Sequence, residues 1–199
     1  MNSDATVFIV DDDIAMRDSL GLLLGLKGFR TQIFANAKNA LKAYNPKWFG
    51  CLLVDVRMPG MSGLELHAEL CKRASDLPVI IMTAYGDVST ARIALKAGAA
   101  DFLEKPIDDA ILIDVLQSAI DAHSALRRGS TTVKGSQQLT AREQQVADLA
   151  AAGHTVKQIA AQLGISPRTV EVYKSRMVQK LRIQDGDAGS SSGPKSDAD

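Results

Sequence analysis

Four short strand-like runs in the first half of the chain each lead into a chemically loaded patch. Val7-Phe8-Ile9-Val10 precedes Asp11-Asp12-Asp13, and Cys51-Leu52-Leu53-Val54 precedes Asp55. Val79-Ile80-Ile81-Met82 precedes Thr83, and Asp101-Phe102-Leu103-Glu104 precedes Lys105-Pro106. Apolar runs of this length, separated by amphipathic stretches of helical period, read as buried parallel strands. Open parallel sheets hold their ligand sites beyond the carboxyl ends of the strands, so residues spread over a hundred positions converge on one rim. Carboxylates gathered there repel one another unless a hard divalent cation neutralises them. A lysine and a hydroxyl beside such a cation suit an anion of phosphate type.

The pattern predicts an α/β domain of five strand–helix units, flavodoxin-like, with a parallel sheet of order 2-1-3-4-5. Strands are expected at 6–10, 30–34, 51–55, 78–83 and 101–104, and helices at 14–26, 37–44, 62–73, 87–96 and 109–123. Ser62 and Asp108 or Asp109 stand where helices need N-caps, and Asp13 reads as a cap as well. Gly28 and Gly98 stand where helices should stop. Residues 1–123 form this domain and 124–138 a small, polar linker. A small all-α domain follows over 139–183. Thr140 with Glu143 opens its first helix, which turns Val146, Leu149 and Ala150 inward. The second runs from about Thr155 to Leu163, with Ile159 and Ala160 inward. After Gly164-Ile165-Ser166, Pro167 starts the third, which reaches about Arg182. Residues 184–199 are a polar tail that cannot bury enough apolar surface to order itself.

Charge separates the two halves. Residues 1–123 carry 16 Asp and Glu against 12 Lys and Arg, a net of −4, whereas residues 134–183 carry 3 against 8, a net of +5. Unlike halves imply unlike partners. Cys51 and Cys71 match no metal or redox spacing, and His67, His123 and His154 share no ligand spacing. No apolar stretch approaches membrane-spanning length and no signal peptide opens the chain, so a reduced, cytoplasmic protein is expected.

Asp55 is the best candidate nucleophile, since it ends a continuous apolar strand and begins a loop, Val56-Arg57-Met58-Pro59-Gly60, that leaves its carboxylate in the crevice. A carboxylate that attacks phosphorus needs a cation to hold the transferring oxygens. Asp11 and Asp12, with Asp55, suit Mg²⁺, which takes few protein ligands and several waters. Lys105 would pair with one phosphate oxygen and Thr83 would hydrogen-bond another.

The set Asp11-Asp12, Asp55 with Met58-Pro59 and Gly63, Thr83-Ala84 and Lys105-Pro106 resembles bacterial two-component response-regulator receivers over about 5–123. The resemblance implies phosphorylation of Asp55 by a partner histidine kinase, with Mg²⁺ required and the backbone carbonyl of Arg57 joining its ligands. It places Phe102 at the family's aromatic switch position, moving with Thr83. It implies a cis peptide before Pro106. A rival reading is a phosphatase with an aspartyl-phosphate intermediate, since Asp11-Asp12-Asp13 offers the D-x-D such enzymes use.

The three basic helices with a short glycine turn suit a helix-turn-helix. Val170, Tyr173, Met177 and Leu181 recur at helical steps and should face inward. Lys157, Arg168, Thr169, Lys174 and Lys180 suit phosphates, and Glu171, Val172, Ser175 and Arg176 suit base edges. Leu139-Thr140-Ala141-Arg142-Glu143, Ile159-Ala160, Leu163-Gly164-Ile165-Ser166, Thr169-Val170 and Lys180-Leu181 resemble the LuxR-type DNA-binding domain. Receiver followed by LuxR-type domain is similar to the FixJ/NarL group of transcription factors. That group continues with a fourth helix, whereas this chain turns into the polar tail. The resemblance implies promoter DNA as a partner and a homodimer on phosphorylation. A receiver whose C-terminal bundle binds protein or RNA is the remaining alternative.

Overall fold

A computed structural model describes residues 4–83, 93–128, 139, 141–163 and, further on, 167, 170, 171, 173, 174, 177 and 178. The elements are β1 (Thr6–Val10), α1 (Ile14–Leu26), β2 (Arg30–Phe34), α2 (Ala37–Ala43), β3 (Gly50–Asp55), α3 (Gly63–Lys72) and β4 (Val79–Thr83). Helix α4 is described over 93–96, then come β5 (Asp101–Glu104) and α5 (Asp109–Arg127). In the basic half, α6 (Ala141–Ala151) and α7 (Val156–Leu163) precede a third helix, α8, to which the described residues from 167 to 178 belong.

All five strands pair in parallel in the order β2-β1-β3-β4-β5, as the alternating pattern predicts. The register sets Val10 beside Phe34 and Val54, Asp55 beside Met82, and Thr83 beside Glu104. Strand ends thus align, and every loaded patch lands on the same rim. Side chains alternate across the sheet as the pleat demands. Phe8, Leu52, Val54 and Ile81 pack toward α2 and α3. Ile9, Leu53, Ile80 and Met82 pack toward α1 and α5. With both faces covered, the central strands are apolar at every step.

Local chemistry sets the helix starts. Asp13 caps α1, its Oδ1 accepting from Ala15 N and Met16 N. Ser62 and Glu65 form a reciprocal capping box on α3, and Asp108 caps α5. Gly28 and Gly98 take left-handed backbone, at φ 82° and 92°. Helix α5 continues four residues past the predicted end at 123, because its last turn is anchored. Arg127 bonds both oxygens of Asp76 at 3.0 Å and the carbonyls of Pro46 and Lys47 at 2.8 and 3.3 Å. His123, buried, lies 2.9 Å from the Gly50 carbonyl. Residues 129–138 of the expected linker, the tail, Thr140 and the predicted helical residues 87–92 fall outside the described residues.

Candidate functional site: a carboxylate rim bridged by lysine

Strand termini assemble the site. Asp11 follows β1, where its N–H donates to Phe34 O at 3.3 Å, and it is 1% exposed. Its Oδ1 accepts from Asp13 N at 2.9 Å, and its carbonyl accepts from Arg17 Nη1 at 2.7 Å. Asp55 is the last residue of β3, buried, with Oδ2 accepting from Arg57 N at 2.5 Å. Lys105 is placed from β4, because its N–H donates to Thr83 O at 2.8 Å and so extends the strand pairing by one residue. Its Nζ reaches Asp11 Oδ2 at 2.9 Å and Asp55 Oδ1 at 2.5 Å. Three residues far apart in sequence thus share one ammonium group.

The loop after Asp55 depends on Gly63, whose N–H donates to Val56 O at 3.0 Å. A Cβ there would lie 2.3 Å from Asp55 O, so only glycine lets α3 start so close to the end of β3.

Burial raises the Asp55 pKa above the ordinary carboxylate value, and the neighbouring Asp11 charge adds to this, against the opposing pull of Lys105. Burial alone would lower the Lys105 pKa, but its hydrogen bonds and charge contacts with Asp55 and Asp11 outweigh that and hold it above the usual lysine value. The bridging group is therefore a cation at neutral pH.

Thr83 is buried at the rim, and Phe102 is buried under it on β5. The Lys105–Pro106 peptide is cis, as the resemblance implies. Asp12 is exposed beside the rim, and among the described residues no three His, Cys, Asp or Glu gather as a metal-binding group. The donor chemistry nonetheless fits a hard cation. Two carboxylates already converge on one positive charge, and an ion that keeps several waters asks for no more protein ligands than the rim holds.

In the basic half, Val170, Tyr173 and Met177 are buried and Lys157 and Glu171 are exposed, as the helical period predicts. Lys174 is half-buried. Arg168, Thr169, Val172, Ser175, Arg176 and Lys180 lie outside the described residues. Sequence reasoning missed two contacts altogether. The Tyr173 hydroxyl donates to Asp101 Oδ1 at 3.1 Å, across 72 positions, and no local pattern signals such a pair. The Arg127–Asp76 anchor was missed for the same reason.

Comparisons with known proteins agree with this geometry. The family model for the response regulator receiver domain matches residues 7–117, and that for bacterial regulatory proteins of the luxR family matches 137–186. The chain belongs to the two-component response regulators, with a receiver followed by a LuxR-type DNA-binding domain. It is a transcriptional regulator similar to FixJ. Identity to the transcriptional regulatory protein FixJ of Bradyrhizobium diazoefficiens is 39% over 186 residues, covering 92% of this chain and 91% of that one. Identity to DctR, the C4-dicarboxylate transport transcriptional regulatory protein of Rhodobacter capsulatus, is 43% over 185 residues, covering 88% and 92%. The crystal structure of full-length FixJ from B. japonicum superposes with a TM-score of 0.57 at 39% identity, covering 89% of this chain and 90% of that one. The response regulator StyR superposes at 0.61 with 38% identity, covering 90% and 92%. Members of this family are transcription factors rather than enzymes, which removes the phosphatase reading. Receiver domains generally use Mg²⁺ for phosphorylation, and the two domains imply a kinase and DNA as partners. Among the described residues no helix is long and apolar enough to cross a membrane.

Proposed function

We propose that Asp55 is the phosphoacceptor, modified by a partner histidine kinase, and that its phosphorylation switches promoter binding by residues 139–183. The observation that carries this reading is the Lys105 ammonium, bonded at once to Asp11 and Asp55 at the carboxyl rim of the sheet. Asp11, Asp12, Asp55 and the backbone carbonyl of Arg57 would hold Mg²⁺, which when bound offsets charge on the transferring phosphoryl oxygens. Burial makes the Asp55 carboxylate a poorly solvated and more basic anion, suited to attack phosphorus. The Arg57 N–H on Oδ2 fixes the carboxylate's rotation, which leaves Oδ1 to react. Lys105 is a mobile cation on a fixed backbone, able to move from Oδ1 to a phosphoryl oxygen once Asp55 carries its acyl phosphate. Thr83 would donate its hydroxyl to another, and Phe102 would follow Thr83 as the switch.

In this reading, residues 1–123 with the last turn of α5 form the receiver, the linker follows up to 138, 139–183 form the DNA-binding domain and 184–199 a polar tail. Lys157, Arg168, Thr169, Lys174 and Lys180 grip phosphates, while Glu171, Val172, Ser175 and Arg176 read bases. The phosphorylated chain is a cytoplasmic homodimer on paired half-sites. The test is Asp55→Asn treated with a small-molecule phosphoryl donor and Mg²⁺. Labelling and donor-dependent promoter binding should both disappear. A variant that labels as well as the parent would end the proposal.

A further inference from the structure

One core cluster does not stop at the receiver's edge. It runs from Ala94, Ala99 and Phe102 into Val170, Tyr173 and Met177 without a break. Tyr173 within it is 2% exposed. Its ring stacks on Phe102, with centroids 5.5 Å apart and planes 21° apart. Its hydroxyl donates to Asp101 Oδ1 at 3.1 Å, and that oxygen also accepts from Phe102 N at 2.9 Å. Asp101 is itself buried. A buried phenol needs an acceptor and a buried carboxylate needs donors, and this bond serves both across the two halves of the chain.

The side of α8 that meets the receiver is the side that sequence period turns inward. Glu171, on the opposite side, is exposed, and so is Pro167 at the helix start. A receiver that merely shielded α8 from DNA would lie over Glu171. Val146 of α6 and Ile159 and Ala160 of α7 belong to the same cluster, so the receiver residues add to the wall these helices give α8.

We infer that β5 of the receiver completes the core of the C-terminal helices, with Asp101 and Phe102 seating the inward side of α8 through Tyr173. The receiver packs this helix and, among its described residues, leaves Glu171 exposed. Phe102 also underlies the proposed switch, so the state of the rim reaches α8 as a change in how firmly it is seated. That last link rests on the function proposed above, whereas the contact itself does not.

The test is amide hydrogen exchange on the full chain, without phosphoryl donor or DNA, comparing the parent with Asp101→Ala, Tyr173→Phe and the double variant. Peptides covering 141–178 should exchange roughly tenfold faster or more in each single variant, the scale of a charge-assisted hydrogen bond lost from a buried site. Peptides covering β1 to β3 should keep their protection, which separates a lost seat from an unfolded receiver. The double variant should fall clearly short of the sum of the two single ones, because both remove the bond between them. Unchanged exchange over 141–178 in Tyr173→Phe, or strictly additive effects, would overturn the inference. So would tighter promoter binding with exchange unaltered, because that marks a brake rather than a wall. Labelling of Asp55 plays no part in this readout, so the two ideas fail separately.

Discussion

Lys105 bridges two carboxylates at the rim, and Gly63 keeps the neighbouring loop clear of them. Both act through single atoms, so both are open to single substitutions. Gly63→Ala would drive a methyl into the Asp55 carbonyl, and with backbone on both sides there is little room to yield. The expected loss is about 1–3 kcal/mol, the range for overpacking a filled site, read from urea denaturation. Labelling of Asp55 should fall further than stability explains, because the displaced atom belongs to the proposed phosphoacceptor. At this scale the site was legible in sequence, because Asp11, Asp55, Thr83 and Lys105 each follow a strand-like run, and parallel sheets send such residues to one rim. Tyr173 was legible only as an inward residue. Its partner, Asp101, starts a strand in another domain, and helical period does not report what covers an inward face.

Elements were read well where a cap or a glycine marks their ends, as at Asp13, Ser62, Asp108 and Gly98. Helix α5 was read short because its end is secured from outside. Asp76, Pro46 and Lys47 sit in loops before β4 and β3, so the reason for its last turn is tertiary. The Arg127 hydrogen bonds come first among the causes that hold the Asp76 carboxyl below its usual pKa, with the nearby His123 adding to them. A carboxylate with a lowered native pKa lends stability that is fully present above its unfolded value of 3.8 and fades as pH falls through the native one. Arg127→Gln should therefore lower the melting temperature at neutral pH. The gap to the parent should narrow as pH drops below 3.8. A gap that stays constant down to complete protonation of Asp76 would show that the ion pair adds nothing there.

Across the whole molecule, a receiver half of net −4 adjoins a half of net +5. Four cations of the basic half, Lys157, Arg168, Lys174 and Lys180, are candidates for phosphate contact. If all engage, the log–log salt slope of promoter binding should be roughly −3.6 per subunit, from about −0.9 for each phosphate neutralised. Lys157→Ala should make it shallower by about 1. Gel shifts across a salt series measure both, and a flat series would return the basic half to the protein-binding alternative. The Arg127 anchor has a mechanical meaning at this scale. It lies at the amino ends of the strands, beside Asp76 and the loop before β3, while Asp55 and Lys105 occupy the opposite end. Tension arriving from beyond residue 128, as when DNA-bound machinery tugs on the second half, is grounded in those floor loops. The acidic rim can then do its chemistry at rest while the other end carries the load.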